Sequence, residues 1–331
     1  MLCASDEIAI CLGSFANTRP RLLHAQRRRD ARPEVVFIMP TDQHAIPSLV
    51  SAEWLAQRLG KPNVRVVDAS WYLPTDPRNA AAEYTAAHIP GAVFFDLDAS
   101  SDHSTPLPHM LPTAADFSVR MSALGLSDAD DIVVYDGSGT NLSAARVWWT
   151  FRVFGHRAVA VLDGGFGAWR AADLPVESGA VAPPQGRFTA RLDAAHVRDL
   201  AAMRANVDTH AEQMIDARSA GRFAGTAPEP RPGLRGGHIP GSRNLPYTEV
   251  VLPNGRMRPA DELRYLFDDA GADLRAPIVV SCGSGTSACS LALALDLLGA
   301  TNVSVYDGSW TEWAGHADTP VETGPPRGTS G

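Results

Sequence analysis

The chain has 331 residues, 45% of them hydrophobic and 20% charged, a globular composition long enough for two ordinary domains. With 29 Lys and Arg against 37 Asp and Glu its net charge is −8, which argues against a nucleic-acid or anionic-membrane partner; no apolar run of about eighteen residues is present to span a bilayer. Its four cysteines, Cys3, Cys11, Cys282 and Cys289, include no Cys-x-x-Cys pair, so neither a disulfide framework nor a zinc site is expected, and a reducing compartment fits.

Residues 1–38 differ in character from the rest. Arg19, Arg21, Arg27, Arg28, Arg29 and Arg32 outnumber Asp6, Glu7, Asp30 and Glu34. The apolar stretch Ile8–Leu12 precedes these arginines, whereas a secretory signal puts charge first. We read the segment as a disordered leader, or as an over-long start with Met39 as the initiator. That reading puts the protein in the cytoplasm; if the Arg-rich leader is a transit peptide, the alternative is the mitochondrion.

Beyond the leader the chain repeats itself. Val66–Ala69 (VVDA) returns as Met214–Ala217 (MIDA), and His88-Ile89-Pro90-Gly91 as His238-Ile239-Pro240-Gly241. Ile132–Thr140 (IVVYDGSGT) returns as Ile278–Thr286 (IVVSCGSGT), and Asp163-Gly164-Gly165 with Trp169 as Asp307-Gly308-Ser309 with Trp313. Four blocks in one order, spaced by 144 to 150 residues, mark a domain duplication rather than a solenoid. The two domains are expected at 48–176 and 188–322, joined by a Gly-, Pro- and Ala-rich linker at 177–187 (ESGAVAPPQGR).

In the second half Gln213–Asp216, Pro277–Ser281 and Val303–Tyr306 are short apolar runs that read as strands. Pro259–Ala270 and Ser287–Leu298, the latter stopped by Gly299, read as helices. Buried strands alternating with helices predict an α/β fold, each domain a mostly parallel sheet flanked by helices. Ligands of such sheets bind beyond the carboxyl ends of the strands, and the segment Cys282–Ala288 (CGSGTSA) lies at such an end.

Backbone N–H groups of a Gly-rich loop, with a helix N-terminus behind it, favour a thiolate at Cys282, and Gly283 and Gly285 permit a curve that side chains would block. A lone buried cysteine in a turn is the plainer reading; the flanking Gly-Ser-Gly and the helix favour a nucleophile. In the first half Asp136 stands where Cys282 stands, and an aspartate offers no thiolate. One half is therefore expected to be catalytic and the other a structural partner at an interdomain cleft. Cys289, inside the predicted helix, reads as a small core residue.

The loop, the doubled HIPG and the DGS-x3-W segment resemble the tandem rhodanese family over about residues 48–322, and CGSG resembles its 3-mercaptopyruvate sulfurtransferase branch. Thiosulfate-specific members carry a basic pair where Gly283 and Ser284 stand here. The resemblance implies two tandem rhodanese-like domains, of which only the second carries the catalytic cysteine. It implies sulfur transfer from 3-mercaptopyruvate through a Cys282 persulfide to thioredoxin, a small thiol or cyanide, releasing pyruvate with no metal or organic cofactor.

Arg222 and Arg231 of RFAGTAPEPR match the family's substrate-carboxylate arginines, and guanidinium forks suit a carboxylate. Ser284, with His109 and Asp98 of FFDLDASSDHSTPLPHMLP, matches a Ser–His–Asp arrangement spanning both halves. Gly283, Gly285, Thr286 and Ser287 complete the substrate-binding loop. The family loop continues Gly-Val-Thr-Ala, so Thr286 and Ser287 depart from it: Ser for Thr keeps a hydroxyl, and Thr for Val changes polarity. Read without the family, His109 equally fits a locally satisfied loop histidine, Asp98 a turn or cap residue, and the two arginines an exposed Pro-rich loop. Arg218 reads as a structural ion-pair partner. His88, His238, Trp148, Trp149, Trp310 and Trp313 read as structural.

Thiosulfate sulfurtransfer is the nearest alternative. Gly283, Gly285 and Ala288 also satisfy G-x-G-x-x-A between a strand and a helix, with Asp307 ending the next strand, the pattern of a dinucleotide site. The first copy fails that pattern at Leu142, and the chain after Asp307 is rich in Gly, Pro and Thr rather than in further strand–helix units. A cysteine phosphatase needs an arginine where Ala288 stands.

Overall fold

The computed structural model describes residues 46–73 and 76–325; the leader at 1–38, Cys3, Cys11 and Met39 lie outside the described residues. Ten strands are found among the described residues. β1 (Leu49–Val50), β2 (Val64–Asp68), β3 (Val93–Phe94), β4 (Asp131–Tyr135) and β5 (Val159–Leu162) form one sheet in the order β1-β5-β4-β2-β3. β6 (Val197–Arg198), β7 (Gln213–Asp216), β8 (Arg243–Asn244), β9 (Ile278–Ser281) and β10 (Val303–Tyr306) form the other in the order β6-β10-β9-β7-β8. All pairings within both sheets are parallel. The same order twice is what the repeated sequence blocks require. Pro277, expected inside a strand, lies just before β9: it has no N–H to give the ladder, and only its carbonyl is used, accepting from Gln213 N at 2.9 Å.

The central strands bury side chains on both faces, so they read as continuous Val/Ile runs rather than alternating ones. Two helices, Leu142–Val153 and Ala288–Leu297, are buried nearly all round, the second almost wholly apolar and the first with Arg146 enclosed among apolar residues. They pack against each other, one from each half, and a single hydrophobic cluster runs through both sheets by way of this contact. Leu291, Leu293 and Leu295 are fully buried, each worth about 1.5–3 kcal/mol of transfer free energy. The second of these helices ends where Gly299 takes φ +80°, a left-handed turn that a glycine makes without strain.

The segment between the halves is held to the first. Glu177 and His88 exchange backbone hydrogen bonds at 2.9 Å. Phe188 N donates to Ser122 Oγ (3.0 Å), Asp193 N to Val153 O (2.7 Å), and the Phe188 ring packs edge-on against Phe117 and Phe151. Glycine and proline here mark irregular backbone rather than freedom.

Each half also lends a loop to the other. Leu111 N donates to Asp307 Oδ2 (2.8 Å), and at the matching place Met257 N donates to Asp163 Oδ1 (2.7 Å). Both acceptors follow the last strand of the half they belong to. This exchange brings first-half residues onto the end of β9.

Candidate active site

Cys282 follows β9 and is 1% exposed. Ser309 Oγ accepts from Cys282 N (3.1 Å) and Gly285 N (3.0 Å) while donating to Tyr306 O (2.8 Å), which pins both ends of the bend. Gly285 has φ +74°, and a Cβ there would lie 2.7 Å from Asp307 O. Gly283 differs in its surroundings. Its backbone is not left-handed, but a Cβ would come within 2.9 Å of Arg222 Nη2. The N–H groups of Gly283, Ser284, Thr286, Ser287 and Ala288 have no hydrogen-bond partner among the described residues.

The first half shows what such a loop holds. Asp136 Oδ1 accepts from Ser138 N (2.8 Å) and Ser138 Oγ (2.6 Å); its Oδ2 accepts from Ala144 N (2.9 Å) and Ser143 Oγ (3.2 Å). A carboxylate fills the first loop from within. In the second loop the equivalent position carries Cys282, and the matching Ser284 N–H has no partner among the described residues.

His109 reaches this loop from the first half and is buried. Its Nδ1 lies 3.1 Å from Ser284 Oγ and 3.1 Å from Thr286 Oγ1. Its Nε2 lies 3.2 Å from Asp98 Oδ1, and Trp71 Nε1 donates to Asp98 Oδ2 at 3.0 Å. The hydrogen bond from His109, with Trp71 adding to it, holds the Asp98 carboxyl below its usual range despite partial burial. An ionised Asp98 can only accept, so Nε2–H donates to it and Nδ1 is the ring atom that faces the two hydroxyls. Trp71 also packs edge-on to the imidazole, centroids 4.7 Å apart.

Arg146, from the buried helix of the first half, ties the two loops together. It donates to Asp307 Oδ1 (2.7 Å), to Gly285 O (3.2 Å) and to His109 O. Sequence reasoning missed Arg146, Trp71 and Ser309. The first had a readable signal, a lone charge inside the apolar run LSAARVWWTF.

Of the expected arginines, Arg222 lies over Gly283, with Nε and Nη2 on Glu229 Oε2. Arg231 is half-buried and makes no hydrogen bond or ion pair to a described residue. Burial pulls its pKa down, with Arg222 adding to that, while Cys282, Asp98 and Glu229 oppose it, so it belongs to the electrostatic surroundings of the thiol. Arg218 is a buried ion-pair partner, bonded through Nε and Nη2 to Asp216, with Nη1 on Glu229 Oε1 at 2.8 Å. Glu229 was another residue missed.

Thr286 is buried against His109, and the half-buried Ser287 opens the helix without a side-chain cap bond. Cys289 is enclosed, its Sγ donating to Gly285 O (3.2 Å), and burial pushes its thiol up to about 12. His88 and His238 bind backbone carbonyls of their own halves, Tyr84 O and Phe223 O. Trp148, Trp149, Trp310 and Trp313 are buried.

The site therefore joins a buried thiol, a hydroxyl–imidazole–carboxylate line and a guanidinium with no bonded carboxylate among the described residues, drawn from both halves. The Rhodanese-like domain model matches residues 51–172 and 197–316. The chain is 47% identical over 296 residues to thiosulfate/3-mercaptopyruvate sulfurtransferase 1, mitochondrial, of Arabidopsis thaliana, covering 83% of this chain and 78% of that one. It is 46% identical over 271 residues to 3-mercaptopyruvate sulfurtransferase of Rattus norvegicus, covering 80% and 91%. It is also similar to the crystal structure of SseA from Escherichia coli, described with the rhodanese fold of 3-mercaptopyruvate sulfotransferases: TM-score 0.74, 42% identity, 80% of this chain and 99% of that one.

Proposed function

We propose, from the premise that the chain belongs to the family of rhodanese-like domain proteins and carries that domain twice, that it is a 3-mercaptopyruvate sulfurtransferase. The observation that carries this reading is the line Ser284–His109–Asp98, which crosses between the halves and ends in the loop of Cys282.

In the first half-reaction the Cys282 thiolate attacks the thiol sulfur of 3-mercaptopyruvate. The new S–S bond forms as the C–S bond breaks, and that electron pair leaves with pyruvate as its enolate. The proton from the substrate thiol passes by way of Ser284 and His109 to the enolate carbon, giving pyruvate and a Cys282 persulfide anion. The unpartnered loop N–H groups stabilise that anion. Arg231, with Arg222 beside it, takes the substrate carboxylate, and the loop from Gly283 to Ser287 encloses the reacting sulfur.

In the second half-reaction the outer sulfur passes to an acceptor. Cyanide leaves as thiocyanate; two thiols, as in a small thiol pair or thioredoxin, become a disulfide and release hydrogen sulfide. Both routes restore the thiolate. This chemistry needs a reduced Cys282, which fits the cytoplasm and equally the mitochondrial alternative.

Steady-state comparison of donors on the purified protein tests the reading. With no side-chain charge at Gly283 and Ser284, kcat/KM for 3-mercaptopyruvate is expected at least about tenfold above thiosulfate, roughly 1.4 kcal/mol in transition-state binding. Equal or better use of thiosulfate overturns the choice of donor and leaves the persulfide standing.

A further inference from the structure

We propose that Glu229 is a specificity-determining residue: its buried carboxylate neutralises the guanidinium over the Cys282 loop and so suits the site to a singly charged sulfur donor rather than a doubly charged one. The inference rests on reading Cys282 as the sulfur acceptor.

The Glu229 side chain is 3% exposed. One of its oxygens accepts from Arg218 Nη1 at 2.8 Å, the other from Arg222 Nε at 3.2 Å and from Nη2. Arg218 already has Asp216 through Nε and Nη2, and it rests on the Trp310 ring, 4.3 Å from the centroid. The charge that Glu229 balances is therefore that of Arg222. Arg222 also lies against the loop: its Nη2 is 2.9 Å from where a Cβ on Gly283 would stand.

Arg146 is already paired with Asp307 at the loop; besides that pair, three guanidiniums (Arg218, Arg222, Arg231) meet three carboxylates (Asp216, Glu229, Asp98). Only Arg231 has no carboxylate hydrogen-bonded to it among the described residues. Among the described residues the site thus offers an incoming donor one cation that no carboxylate is bonded to. A single carboxylate needs one. A compact dianion brings two charges towards a thiolate that is itself negative, and in a partly desolvated site that repulsion is felt strongly. Glutamine at 229 would keep a side chain of nearly the same shape with one acceptor oxygen, while leaving Arg222 uncompensated.

The test uses Glu229→Gln and Glu229→Asp. Cys282 is alkylated with neutral iodoacetamide and with anionic iodoacetate; the reagents are similar in size, so their rate ratio cancels access and reads the local potential. The same proteins are assayed with 3-mercaptopyruvate and thiosulfate. In Glu229→Gln the iodoacetate-to-iodoacetamide ratio is expected to rise about fivefold, and the thiosulfate-to-mercaptopyruvate ratio of kcat/KM by a similar factor. Glu229→Asp, which keeps the charge, is expected to leave both ratios near wild type. If both donors fall together in Glu229→Gln and the alkylation ratio does not move, the carboxylate is only structural and the proposal is overturned. Alkylation needs no turnover, so a wild-type protein that takes no sulfur from 3-mercaptopyruvate defeats the underlying reading and not this measurement. Should Glu229→Gln fail to fold, protection of wild-type Cys282 from iodoacetamide decides: pyruvate is expected to protect at lower concentration than sulfate, and the reverse order overturns the proposal.

Discussion

His109 and Gly255 hold matching positions in the two halves. Each lies two residues before the N–H that is donated to the other half's aspartate, Leu111 to Asp307 and Met257 to Asp163. Both are left-handed, with φ of 61° and 79°. Glycine takes that backbone freely; a histidine does so at a cost of about 1 kcal/mol or more. The first half thus carries an imidazole where the second carries no side chain, and the imidazole faces the half that has the cysteine.

This pairing separates backbone from chemistry at residue 109. Asparagine tolerates the left-handed region, so His109→Asn is expected to fold with a melting temperature close to wild type. Pyruvate release should nonetheless fall by about 10²–10⁴, the usual weight of a positioned acid–base group. Asp98→Asn should also lose activity, because an amide lets the ring carry its hydrogen on Nδ1, where it can no longer accept from Ser284. Pre-steady-state pyruvate release measures both.

Ser284 and Thr286 share one lone pair of His109, both at 3.1 Å. Removing either hydroxyl leaves the other to satisfy the ring. Ser284→Ala and Thr286→Val should each cost about 0.5–1.5 kcal/mol or less, whereas the double variant orphans Nδ1 and should exceed the sum by about 1–2 kcal/mol. Urea unfolding of the four proteins gives the coupling, and strict additivity would show that only one hydroxyl holds the ring.

Arg146→Met removes the cation from the buried Asp307 and strips partners from His109 O and Gly285 O. A broken buried pair costs about 3–5 kcal/mol. Adding Asp307→Asn should recover part of that loss, because the uncompensated charge goes with it. Denaturant midpoints at matched m-values check both steps.

Cys289 gives a pH signature. Burial raises its thiol from 9.0 to about 12 in the folded chain. Above the unfolded value the unfolded chain releases a proton that the folded chain keeps, so stability is whole below that value and falls as pH rises from there towards 12. The slope is about 1.4 kcal/mol per pH unit for one proton. Cys289→Ala should remove that one-proton slope between pH 9 and about 11, read by urea unfolding of both proteins.

Much of the fold is visible in the sequence, and the reason is local. β7 and β10 coincide with the runs Gln213–Asp216 and Val303–Tyr306, because buried parallel strands need unbroken apolar residues. The helix after Cys282 begins and ends within a residue of the expected Ser287–Leu298, because Gly299 stops it. The repeated blocks carry over into one strand order used twice. Contacts between Arg146 and Asp307, or His109 and Thr286, join positions more than a hundred residues apart and follow no period. The candidate site residues that the sequence offers lie inside matched motifs. Glu229 stood in plain view within RFAGTAPEPR, but nothing local says that it turns back onto Arg222.

The central claim is that sulfur moves from 3-mercaptopyruvate onto Cys282 and nowhere else in the chain. Intact mass spectrometry of the wild type and of Cys282→Ser, after brief exposure to 3-mercaptopyruvate without acceptor, tests it directly. The wild type should gain one sulfur atom and release one pyruvate for each, and Cys282→Ser should gain none. A sulfur adduct that persists in Cys282→Ser, or a wild type that releases pyruvate without holding sulfur, would contradict the account.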